Sequence, residues 1–123
     1  MDIFAWVLQS LLAFLFLAHG AMILARPAAA REQLDALPYP KGFLAFIGVC
    51  ELLGALGLVL PLLSGIAPWL TPLAAGGLAI IMAGAVWTHA SARQGPQSGV
   101  TGIIMLLLVI VGIIRWPLLA GVI

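Results

Sequence analysis

Charge is what this sequence has least of. Five Lys and Arg and four Asp and Glu are spread over 123 residues; 7% of the chain is charged and 64% is hydrophobic. A water-soluble domain carries about 25% charged and about 45–50% apolar residues. So few charges cannot cover a water-facing surface, and lipid must be the solvent. The net charge of +1 leaves no electrostatic footprint for nucleic acid. Cysteine is almost missing as well. A single Cys50 excludes an intrachain disulfide, a CxxC redox pair and a multi-cysteine metal site. No Gly-rich phosphate loop, Ser-His-Asp spacing or HExxH motif is present, and the chain is not expected to be catalytic on its own. Lys and Arg are absent before Arg26. The N-terminal apolar stretch therefore lacks the positive region of a signal peptide, although PAAAR follows it.

What is present in quantity is long apolar runs. A membrane-spanning helix needs about 20 mostly apolar residues. Four segments meet that length, at about 3–25, 42–63, 69–90 and 100–120. The expectation is an all-α, integral membrane four-helix transmembrane bundle, forming a single transmembrane domain over 1–123. Pro61 falls near the end of the second span and Pro117 in the last part of the fourth. Pro68 and Pro72 suit a first turn, where a missing N–H is harmless. Between the first two spans, AAAREQLDAL has helical composition, with Leu34 and Leu37 placed to lie on a membrane surface. The Pro-Tyr-Pro after it ends that helix. SARQGPQSG reads as a polar turn.

Arg26, Arg31, Lys41 and Arg93 all fall in the first and third loops. The positive-inside rule then puts those loops in the cytoplasm and both termini outside. Trp6, Trp69, Trp116 and Arg115 become outer-interface anchors, with Arg115 expected to snorkel outward; Trp87 and Tyr39 mark the inner interface.

Four ionisable residues stay inside spans: His19, Glu51, His89 and Arg115. Such groups face the bundle interior and carry a functional hypothesis by default. Glu51 lies about 15 Å along the helix from Lys41, near the middle of a core about 30 Å thick. Its helical neighbours Gly48, Gly54 and Ala55 form a small-residue face of the kind that packs on another helix, so Glu51 should point inward. Burial favours the neutral carboxyl. Two readings stand for it: a hydrogen bond that ties helices together, or a ligand and proton-relay group. His19 and His89 fall in the same half of the membrane, on two other helices, and complete a candidate cluster. It could hold a quinone headgroup; the ligand-type spacing that would favour metal or haem is absent. Ala75, Ala79 and Ala83 repeat at four-residue steps and, with Gly48 and Gly54, are expected to serve close helix packing.

FLAHGAM at the end of the first span, LPYPKGFLAFIGVCELLGALGLVLP with Glu51 in an ELxG setting, and TPLAAGGLAIIMAGAVWTHA with Met82 and His89 together resemble the DoxX-like family of small four-helix membrane proteins. The resemblance covers nearly the whole chain. Relatives carry a lysine a turn after the glycine closing the first span, where this chain has Ile23; Glu51 must then be satisfied otherwise, through His19 or His89. The resemblance implies membership of membrane redox assemblies, thiosulfate:quinone oxidoreductases among them, or an assembly-chaperone role. It leads to an expected setting in a bacterial inner membrane. The leading expectation is an accessory or assembly subunit that packs on other membrane subunits or on itself. A quinone-linked oxidoreductase subunit with a site at Glu51, His19 and His89 is the alternative, and a small transporter the third.

Overall fold

The computed structural model describes residues 3–121. The outermost ends of the expected 1–123 domain, Met1–Asp2 and Val122–Ile123, lie outside the described residues. Five α-helices follow one another: α1 Ile3–Ala25, α2 Ala28–Asp35, α3 Lys41–Ser64, α4 Leu70–Ser91 and α5 Gly95–Arg115, with a 3₁₀ turn at Trp116–Gly121. There is no strand among the described residues. Four of these helices are long and apolar enough to cross a membrane: α1, α3, α4, and α5 with its extension. The all-α four-span bundle read from hydropathy is the observed fold.

The boundaries differ from expectation where proline acts. The polar stretch SARQGPQSG is not all loop. α5 begins at Gly95 with Pro96 in its first turn, where the missing N–H has no intrahelical partner to lose. At the other end, Pro117 stops the α-helix. Trp116 N–H already bonds Ile113 O in the tighter 3₁₀ manner, because Pro117 has no N–H with which to continue. The helix on the surface ends at Asp35, two residues before the sequence expectation.

α1 packs most closely on α3, and α4 on α5. α3 and α4 join the two pairs, and of the helices adjacent in the ring α1 and α5 touch least. The ring of helices is thus nearly open along one seam. The apolar core is centred on Leu12, Phe16, Leu58, Leu78, Leu108 and Val111. α5 fully buries only Leu108 and Val111; Ile104, Met105 and Leu107 pack partly buried against the core, while Ile103, Leu106 and Ile113 face outward, as lipid permits.

Pro61 lies buried inside α3. It removes the N–H that would bond Gly57 O, and a carbonyl in a bilayer needs a replacement donor. Thr71 of α4 supplies it, its Oγ1 lying 3.1 Å from Gly57 O. The adjacent carbonyl of Leu58 accepts the side-chain amide of Gln9 from α1. Gln9 is fully buried, and its Oε1 accepts Arg115 Nε at 2.7 Å from α5. Beside this one proline in α3, polar side chains from the three other spans come together.

The geometry makes a coupled prediction. Thr71→Val should destabilise the bundle by about 0.6–1.7 kcal/mol, the range for interhelical hydrogen bonds in membranes. In a Pro61→Ala background, where residue 61 again donates to Gly57 O, the same change should cost much less. A double-mutant cycle read by reversible unfolding in detergent checks this; additive costs would refute it.

Candidate functional site

A close helix crossing builds the site. A Cβ placed on Gly20 would sit 2.9 Å from Gly48 O, and one on Gly48 would sit 3.0 Å from Leu24 Cγ. Only the two hydrogens of glycine allow α1 and α3 to approach so closely. His19 precedes Gly20 directly, and Glu51 follows Gly48 by about one turn. The crossing therefore brings them together: His19 Nδ1 lies 2.8 Å from Glu51 Oε2. The Glu51 side chain is 1% exposed, and that of His19 is 47% exposed. Ile23, where the family resemblance implies a lysine, is buried one turn beyond His19. The imidazole is the basic partner of the carboxyl here.

The proton arithmetic of such a pair follows from its surroundings. A net charge in the bilayer is expensive, which favours the neutral pair. The neutral pair holds two exchangeable hydrogens on its three heteroatoms of interest. One lies in the Nδ1–Oε2 hydrogen bond, whether nearer nitrogen or oxygen, and the other is on Nε2. Nε2–H makes no hydrogen bond to any described residue. The pair therefore offers an outward-facing donor, backed by a buried carboxylate that can stabilise the imidazole in either state.

His89 is not part of this arrangement. Its Nδ1–H donates to Gln94 Oε1 at 2.7 Å, at the α4–α5 turn. The three-residue cluster expected from the sequence is a pair. Among the described residues no three His, Cys, Asp or Glu side chains gather where a metal ion could sit. The helices flanking the pair are continuous, unlike the broken helices that surround transporter sites.

The packing residues divide. A Cβ on Gly54 would come 2.6 Å from Leu78 Cδ2, so Gly54 serves α3–α4 contact as Gly48 serves α3–α1. Ala75 is buried, Ala79 lies partly buried against the core, and Ala83 is exposed on the outer surface of α4. Trp6 and Trp69 are half-buried and Trp116 is exposed. Arg115, read from sequence as an outward snorkel, also turns onto α1: it bonds Gln9, and its guanidinium carbon lies 5.7 Å from the Trp6 ring centroid. Gln9 is the polar residue that the sequence reading passes over, because it is not ionisable. Its position inside an apolar span was the available signal. A second missed link joins the Tyr39 hydroxyl to Thr88 Oγ1. A crevice of about 430 Å³ lies beside that link, and a groove of about 360 Å³ runs between α4 and α5; neither is lined by His19 or Glu51.

Four apolar helices able to span a bilayer, with a His–Glu pair held between two of them, define an integral membrane helical bundle. The profile of the DoxX-like family matches residues 7–111, and the chain belongs to that family. No curated protein and no solved structure matches it. The matched range contains His19, Glu51, His89 and Gln9.

Gly20→Ala should push α1 from α3 and weaken the His19–Glu51 bond, at about 1–3 kcal/mol for overpacking. Gly77→Ala, whose Cβ would meet nothing within 4 Å, should leave stability unchanged or slightly raised. Thermal unfolding of both variants in one detergent tests the contrast.

Proposed function

We propose that this protein works as an accessory or assembly subunit of a larger membrane complex, respiratory or photosynthetic in type, and that the face carrying His19 is turned toward its partner. The half-exposed imidazole inside a span carries this reading. A donor left facing hydrocarbon costs several kcal/mol by the order-of-magnitude scale for unsatisfied polar groups, and an acceptor from a neighbour removes that cost. The distribution of Lys and Arg supports loops one and three in the cytoplasm, with the chain ends outside.

The second reading makes the partner a quinone and the assembly an oxidoreductase. The hydrogen bond from the half-exposed His19 to the buried Glu51 favours it. A quinone carbonyl would accept Nε2–H. When the redox centre of the assembly delivers two electrons, that oxygen takes the Nε2 proton; a second proton reaches the other oxygen by another route. His19 is left with Nδ1–H bonded to the Glu51 carboxylate, and the pair is recharged by one proton.

Purification in mild detergent from the native membrane, with mass spectrometry of the fraction and extraction of bound quinone, tests both. Wild-type protein should arrive with defined subunits, and His19→Ala should lose them or the quinone at least tenfold. Glu51→Gln should keep the subunits and lower quinone turnover. A wild-type chain that purifies alone and without quinone would overturn both readings.

A further inference from the structure

α2 does more than join two spans. Its Ala30 and Leu34 are buried against Ile23 of α1 and Leu44 of α3, and Met22, Leu37, Tyr39 and Ile47 pack around them. Ile23 lies one turn beyond His19, and Ile47 one turn before Glu51, both toward the α2 end of the bundle. An apolar cluster therefore stands between the His19–Glu51 pair and the water at that end. Two polar contacts hold α2 and its exit down. Arg26, at the end of α1, is paired with Asp35, the last residue of α2. The Tyr39 hydroxyl, just after α2, bonds Thr88 of α4. The outer face of α1 around His19 is open along its length: Leu15 is 40% exposed and Leu24 38%, and Ala18 and Ala21 are exposed beside the ring, so His19 is uncovered toward the side of the bundle while the cluster lies at its end.

We infer that α2 is a latched apolar stopper that shuts the aqueous phase at the loop end off from His19 and Glu51, so that the pair is reached sideways, from within the bilayer. The group that meets Nε2–H is then a hydrogen-bond acceptor carried on an apolar body dissolved in, or spanning, the membrane; a water-soluble anion or metabolite does not reach it. The nature of this acceptor rests on the reading of the pair as a meeting point with a partner. The direction of approach does not.

The two histidines allow a test on the unmodified chain. The full-length protein, with ¹⁵N-labelled histidine, is placed in phosphatidylcholine nanodiscs. Paramagnetic broadening of each imidazole is then measured with a doxyl label on a lipid chain and with a water-soluble gadolinium chelate. His89, bonded to Gln94 at the turn, serves as the water-side reference. Broadening of His19 by the lipid label several-fold above that by the chelate, with the order reversed for His89, is the expected result. Equal or stronger broadening of His19 by the chelate overturns the stopper. Releasing the latch with Asp35→Asn, or thinning the plug with Leu34→Ala, should raise the effect of the chelate on His19 at least twofold. No increase in either variant would remove α2 from the explanation. None of these readings depends on a bound partner, so failure of the proposed function would leave the route measurable.

Discussion

The distance between the backbones of α1 and α3 controls this molecule. Two glycines, Gly20 and Gly48, remove the side chains that would hold the helices apart. A bilayer supplies no hydrophobic force to press one apolar helix onto another, so close van der Waals contact must do it. That contact in turn sets the reach of His19, whose short side chain meets Glu51 only because the helices are near. With wider spacing Glu51 would lie in the core without a base, and the apolar plug of Ile23 and Leu44 would no longer close beneath it. The site and its seal are both consequences of one crossing.

The polar groups in the membrane fall into two sets with different logic. At the end of the bundle that carries Pro61, Thr71 satisfies the carbonyl that the proline leaves open, and Gln9 and Arg115 bond beside it. The Thr71 bond replaces a missing backbone donor, and Gln9 ties α1, α3 and α5 together beside it, so the set reads as architecture. Toward the other end, His19 and Glu51 repair nothing in the backbone. They satisfy one another and leave a nitrogen over. That surplus donor on a half-exposed ring is the observation on which the proposed function rests.

Much of this was legible in the sequence. The spans follow from apolar length alone, since lipid demands it and few charges interrupt it. The inward aim of Glu51 follows from Gly48, Gly54 and Ala55 on its own helical face. The choice between His19 and His89 as its partner did not follow. Both lie at suitable depth, and depth says nothing about which helices are neighbours or how they are rotated; α1 lies on α3 more closely than α4 does. Gln9 escaped because its partners, the Leu58 carbonyl and Arg115, lie 49 and 106 positions away, a relation that only packing reveals. The start of α5 escaped because Gly, Pro, Gln and Ser look like loop, while Pro96 in a first turn is compatible with helix.

The thin seam between α1 and α5 bears on how such a chain is made. α1 with α3, and α4 with α5, are two antiparallel pairs, each with its largest interface internal to the pair. Each pair can bury its own packing face as soon as its two helices have left the insertion machinery, before the rest of the chain exists. The long-range bonds from Gln9 to Arg115 and from Tyr39 to Thr88 need helices from both pairs, one toward each end of the bundle. The architecture is that of two hairpins docked on one another, and the α1–α5 seam is the place where the assembled ring has least to lose by parting.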